Sequence, residues 1–168
     1  VVRGIEGIIY PGTCRNGIPE SRQARTWRVH TDSQHFPSPP LYSHVEFEDV
    51  LQGPLKQHLE NEIGDFIVKR ADGLFSYQLA VVVDDAFQNI THVVRGSDLI
   101  TSTPRQIHLQ HLLNLPTPTY MHLPIAVNAQ SEKLSKQTLA PSIGVDEAVT
   151  KIQAALTFLR QQPPDILR

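Results

Sequence analysis

Residues 65–106 read DFIVKRADGLFSYQLAVVVDDAFQNITHVVRGSDLITSTPRQ, and the division of this stretch into elements decides the fold. "DFIVKR" (65–70) has the short apolar run of a strand, and "ADG" (71–73) is a turn in which Gly73 supplies a positive φ. "YQLAVVVDDAFQ" (77–88) is ambiguous: three consecutive valines favour a strand, whereas Phe75, Leu79, Val82, Val83 and Ala86 recur at helical spacing. "ITHVVRG" (90–96) is a strand ending in a tight turn. "STPRQIHLQHLLNL" (102–115) opens as a helix should, with Thr103 able to cap it and Pro104 suited to its first turn. Beyond it, "YMHLPIAVN" (120–128) is another strand. With 77–88 as a crossover helix, the order is strand–helix–strand–helix–strand with short links, the pattern of a parallel α/β sheet.

The flanks differ in composition. Residues 1–62 hold most of the Gly, Pro, Ser and His, with short alternating strands at "TWRVHT" (26–31) and "HVEFEDV" (44–50). "HFPSPPLYSH" (35–44) is neither helix nor central strand, because its prolines remove donors and fix φ. "GVDEAVTKIQAALTFLRQQPP" (144–164) is a helix: Asp146 can cap it, Val149, Ile152, Leu156 and Leu159 form a stripe suited to core packing, and Pro163 and Pro164 stop it. Three regions result: a small mixed subdomain (1–62), the parallel α/β half-sheet (63–130), and a loop with a helical segment (131–168).

Bulk properties exclude several classes. The 168 residues suit one domain or part of a larger one, and 40% hydrophobic content suits a globular protein. A net charge of −2 argues against a generally basic nucleic-acid wrapper, though Arg15, Arg22, Arg25 and Arg28 give the first region local basic character. Cys14 is the one cysteine, so no internal disulfide forms. No apolar run reaches transmembrane length and no signal pattern opens the chain, so a cytoplasmic monomer is expected, with no membrane partner.

The strand order gives chemical meaning to "SEKLSKQ" (131–137), otherwise an ordinary solvated loop. Ligands in such sheets sit beyond the carboxyl ends of the strands. A lysine on a loop there, Lys133 or Lys136 about Ser135, can meet a phosphate as a point charge. Arg95 ends a strand and can pair with a carboxylate, or make a plain surface ion pair. Tyr77 opens the crossover helix and either lines the same edge or packs with its hydroxyl in water.

Residues 65–106, then "HLPIAVN", then "KLSKQ", resemble the catalytic core of the glutamyl/glutaminyl branch of class I aminoacyl-tRNA synthetases. "KLSK" is similar to that class's Lys-Met-Ser-Lys-Ser signature. Gln137 followed by "TLAPSI" is most similar to the short paralogues of the branch, which attach glutamate to the queuosine base of the tRNA(Asp) anticodon. The resemblance implies the second half of a Rossmann-type sheet, preceded by the inserted subdomain and followed by the helical segment. It implies Tyr77 and Arg95 as glutamate contacts, Lys133, Ser135 and Lys136 as the ATP loop with Lys136 the catalytic lysine, and Mg with the ATP. It also implies Tyr10 and Cys14 of "YPGTC" as two of four zinc ligands, although one Cys and one Tyr are by chemistry a poor zinc site. "VVRGIEGII" supplies neither the family's ATP signature nor its upstream zinc cysteines.

The expected reaction is glutamate attack on the α-phosphate of ATP, then transfer to queuosine. Two alternatives stand beside it: the catalytic core of a true glutamyl- or glutaminyl-tRNA synthetase, and a non-catalytic nucleotide- or RNA-binding remnant.

Overall fold

The computed structural model describes residues 3–4, 7–32, 44–136 and 139–164. The irregular reading of 35–43 and the resemblance at Gln137 lie outside the described residues. The chain divides into two compact units, Val1–Leu123 and Pro124–Arg168.

The first unit begins with a two-stranded ribbon, β1 (Arg3–Gly4) and β2 (Gly7–Ile8), followed by β3 (Trp27–Val29). The hairpin β4 (His44–Asp49) and β5 (Gly53–His58) leads into a short helix, α1 (Leu59–Glu62), and then β6 (Phe66–Lys69). Helix α2 (Tyr77–Phe87), β7 (His92–Gly96), a 3₁₀ turn (Ser97–Ser102), α3 (Thr103–Leu112) and β8 (Thr119–Leu123) complete it. The ambiguous valine run is helical, as its 3.6-residue spacing predicts. Gly73 has φ +87°, as its turn requires.

The main sheet has the order β5–β4–β8–β7. β7 runs parallel to β8, with Arg95 opposite His122, and β4 runs parallel to β8 on its other side, with Asp49 opposite Tyr120. β5 is antiparallel to β4, so the sheet is mixed rather than wholly parallel. β6, expected as a strand of the parallel sheet, instead pairs antiparallel with β3 in a separate two-stranded sheet. The hairpin β4–β5 is what joins the parallel pair. Apolar runs specify that a segment is a strand but not its partner, which long-range pairing decides.

Two apolar clusters hold the unit. Val45, Leu59, Ile107 and Tyr120 pack on one side, and Phe66, Val82 and Leu109 on the other. Each such side chain contributes roughly 1.5–3 kcal/mol by leaving water. Helix α3 lies between the clusters and is buried from Thr103 to Gln110 despite its polar residues. Most of their polar atoms find partners within the fold: Arg105 donates to the Thr101 carbonyl, Gln106 to Gln78, and Gln110 Nε2 to the Tyr120 hydroxyl, while Gln110 Oε1 has no partner among the described residues. Phe75 and Val83, expected on the apolar face of α2, are exposed. Thr103 is the first residue of α3 rather than its cap; Ser102 precedes the helix, and Thr103 turns its hydroxyl elsewhere.

In the second unit, Val127 bridges Lys133, and Leu134 N–H donates to the Ala126 carbonyl, forming a small antiparallel turn. A 3₁₀ turn (Val145–Glu147) leads into α4 (Ala148–Phe158). Asp146 lies inside the 3₁₀ turn and does not cap α4. The apolar stripe is present, but no residue of α4 is buried, and Val149 and Ile152 are exposed. Periodicity marks an apolar face and does not by itself supply a layer to cover it.

Candidate active site

Arg95 is the best-defined candidate, because its surroundings are built around its guanidinium. As the penultimate residue of β7 it stands opposite His122 in register. Its Nε donates to His122 Nε2 at 3.1 Å, and its Nη2 donates to Thr103 Oγ1 at 2.8 Å. The Tyr120 ring lies beneath the guanidinium, 5.4 Å from its centre. Among the described residues Nη1 makes no hydrogen bond. The Nε–Nη2 edge is therefore occupied by the protein, Nη2 also lying 3.5 Å from the Leu99 carbonyl, and Nη1 is left open.

Behind Arg95 the polar contacts continue inward. His122 Nδ1 lies 2.6 Å from Asp49 Oδ2, and neither side chain is exposed. The other carboxylate oxygen, Oδ1, accepts from the backbone N–H groups of Leu51, Gln52 and His122. Burial alone would raise the Asp49 carboxyl; the His122 bond and these backbone donors outweigh it and hold Asp49 below its ordinary range. Three strand ends thus meet at one place: Asp49 closes β4, Arg95 nearly closes β7, and His122 nearly closes β8. Tyr120 sits two residues before His122, on the same face, and burial raises its phenol while Gln110 partly opposes this. Asp85 of α2 is likewise raised by burial, against the lowering effect of Arg95's charge.

Tyr77 is the first residue of α2, half exposed, and its hydroxyl makes no hydrogen bond among the described residues. The next residue, Gln78, faces inward and donates to Ser102 Oγ at 3.0 Å, tying the start of α2 to the turn before α3. A cleft of about 470 Å³ lies elsewhere in the unit, and neither Tyr77 nor Arg95 lines it. Of its polar walls, Arg28, Gln78 and Arg105 are already bonded to the Asp65 carbonyl, Ser102 and the Thr101 carbonyl.

In the second unit, Lys133 and Lys136 are exposed and Ser135 is half-buried. Lys133 lies in the bridge to Val127, and Lys136 begins a turn in which its carbonyl accepts from Leu139. The Lys136 ammonium makes no hydrogen bond or ion pair among the described residues. Asn128 stabilises the loop base, its side-chain oxygen accepting from the Gln130 and Glu132 backbones at 3.0 and 2.9 Å.

Tyr10 and Cys14 do come together, since the Cys14 backbone N–H donates to the Tyr10 hydroxyl at 2.8 Å. Among the described residues no three His, Cys, Asp or Glu side chains are placed to hold a metal. Two donors do not fit a four-coordinate structural zinc by themselves. The basic stripe is also thinner than the sequence suggests: Arg15 is bound to Asp32 and Asp65, and Arg28 to the Asp65 carbonyl, over the Tyr10 ring. Arg22 and Arg25 remain exposed.

The sequence names Arg95 and Tyr77 as candidates, but does not by itself place Asp49, His122 and Thr103 around Arg95. The available signal is the alternation in "TYMHL", which sets Tyr120 and His122 on one buried face.

A family model for the catalytic domain of class I tRNA synthetases (E and Q) matches residues 12–160. The chain belongs to the class I tRNA synthetases of the E and Q type. Among relatives of this synthetase family, a glutamyl-Q tRNA(Asp) synthetase of Dechloromonas aromatica is 53% identical over 161 residues, covering 96% of this chain and 50% of that protein. A glutamyl-Q tRNA(Asp) synthetase of Aromatoleum aromaticum is 52% identical, covering 95% and 47%. The chain spans about half the length of the curated relatives it matches. Among solved structures, a glutamate tRNA ligase from Elizabethkingia meningosepticum, in complex with its amino acid, aligns with TM-score 0.50 and 25% identity over 56% of this chain and 19% of that one. The class I synthetase fold is thus a mixed sheet with parallel strands and flanking helices. No helix among the described residues is long and apolar enough to cross a membrane.

Proposed function

We propose that this chain carries part of the active site of a ligase that activates L-glutamate with ATP and transfers it to the queuosine base of the tRNA(Asp) anticodon. The observation that carries the proposal is Arg95: a guanidinium anchored on one edge at the carboxyl end of a parallel strand, with its Nη1 open to an acidic substrate. Similarity to proteins named glutamyl-Q tRNA(Asp) synthetase supports glutamate and the queuosine acceptor.

In this reading Arg95 and Tyr77 hold glutamate, and correct placement supplies much of the rate. The α-carboxylate of glutamate attacks the α-phosphate of ATP, which enters with Mg, and pyrophosphate leaves. Lys136, with Lys133 and Ser135 beside it on the loop, stabilises charge on the phosphates as that bond breaks. A hydroxyl of the queuosine cyclopentenediol then attacks the adenylate carbonyl and AMP leaves. Tyr10 and Cys14 supply one oxygen and one sulfur donor toward zinc, and no step runs through that metal. Arg22 and Arg25 face the RNA, and the protein works as a cytoplasmic monomer.

The test is glutamylation of tRNA(Asp) with and without queuosine, using the full-length protein. Labelling that requires queuosine is expected. Charging of a tRNA 3′ end would overturn the proposal in favour of a true synthetase, and no ATP–pyrophosphate exchange would favour a non-catalytic remnant.

A further inference from the structure

We infer that Thr103, His122 and Asp49 are positioning residues that fix the orientation of Arg95 for its substrate carboxylate; this rests on the reading of Arg95 given above. An arginine side chain has many rotamers, and those it abandons on binding weaken the ligand. Arg95 has already abandoned most of them. Its Nε and Nη2 are both held, at 3.1 and 2.8 Å, by His122 and Thr103, neither of which has exposed surface.

The proton inventory of the site fixes the direction of each bond. A guanidinium can only donate, so His122 Nε2 must accept from Arg95. The imidazole proton then sits on Nδ1, pointing at Asp49 Oδ2, which as a carboxylate can only accept. Asp49 is itself oriented by three backbone N–H groups. Thr103 accepts from Nη2 and can direct its own proton to His122 Nε2, 3.1 Å away, or to the Leu99 carbonyl, 3.5 Å away. A pair serving only to join β4 to β8 would need Asp49 and His122 and nothing more. The remaining imidazole nitrogen and the Thr103 hydroxyl converge on one edge of one guanidinium. They leave the substrate the Nη1 side.

The experiment measures ATP–pyrophosphate exchange by the full-length protein, with KM for glutamate and for ATP determined separately and melts as a folding control. Thr103→Val keeps the shape of the side chain and removes the acceptor. It is expected to raise KM for glutamate about 10-fold, the usual weight of one bond to a charged group, with KM for ATP unchanged. Thr103→Ser is expected to restore it, and Thr103→Val in an Arg95→Ala background to add nothing. Nitrogen NMR of His122 is expected to find the Nδ1-protonated imidazole. Wild-type KM for glutamate in Thr103→Val, with Arg95→Ala still impaired, would overturn the inference and leave the reading of Arg95 standing. An undiminished Thr103→Val effect without Arg95, or a proton on Nε2, would also overturn it. Wild-type KM in Arg95→Ala would overturn the reading itself, and the inference with it.

Discussion

Arg15 grips Asp65 at both carboxylate oxygens, Nε to Oδ2 at 2.7 Å and Nη2 to Oδ1 at 2.8 Å, across 50 positions of sequence. Its Nη1 reaches Asp32 at 2.6 Å, so one guanidinium pairs with two carboxylates, whose side chains are only 5% and 2% exposed. Arg15→Ala removes the cation that both carboxylates share and is expected to destabilise the first unit by about 3–5 kcal/mol. Asp65→Asn keeps Asp32 as a partner for Arg15 and should cost less. Urea unfolding of the two variants checks the order; an Arg15→Ala protein as stable as wild type would remove this clamp from the account.

Acid should weaken the fold in two stages. Burial pushes the His108 imidazole below its usual value, against the opposing effect of its hydrogen bond to the His30 carbonyl. Its neutral form is favoured in the fold, so that stability is complete above the unfolded value of about 6.5 and declines as pH falls through the folded one. Asp49 and Asp65 follow. Burial would raise Asp65, but Arg15 and the Thr31 backbone N–H outweigh it, and both carboxyls end below their ordinary value. Their contribution is present above about pH 3.9 and declines below it. Urea midpoints between pH 8 and pH 2 should show both stages. His108→Gln should remove the upper stage, and an unchanged profile in that variant would assign it elsewhere.

Zinc should not be retained at stoichiometry by this chain alone. Tyr10 and Cys14 give two donors, and a structural site takes four. Elemental analysis after gel filtration is the check, and one zinc per monomer would contradict the expectation.

Lys136→Ala in the full-length protein should leave the fold intact and slow glutamate activation roughly 30- to 1000-fold, about 2–4 kcal/mol of transition-state stabilisation. Both kcat and kcat/KM should fall, because the contact tightens as phosphate charge develops. Lys133→Ala should cost less, because the direct phosphate contact is assigned to Lys136. Wild-type exchange by a folded Lys136→Ala protein would leave the loop no role in phosphate handling.

Helix α2 was legible because spacing outweighs the β preference of three valines once Val82 has a buried face to fill. The partner of β6 was not legible, since "FIVK" suits either sheet and only contacts distant in sequence choose between them. The resemblance pointed to Arg95, but its support was hidden. A histidine and an aspartate on separate strands carry no local pattern linking them, and Thr103 already had a plausible role at a helix start. For α4, the stripe was readable and its exposure was not, because periodicity reports a face and not what lies opposite it.

The parallel pairing of β4 with β8 has a kinetic consequence. Asp49 and His122 stand 73 positions apart, whereas β7, α3 and β8 follow one another closely along the chain. Closing the longer loop costs more chain entropy before any contact repays it, so the α2–β8 segment is expected to gain protection first and β4 to dock afterwards. Pulsed hydrogen exchange would register this order as early protection of Val93 and Met121 amides and later protection of Val50, whose N–H donates to the Tyr120 carbonyl. Until β4 arrives, His122 has no carboxylate to set its ring. The competence of Arg95 is in that sense a late product of folding, gained with the strand that has travelled furthest.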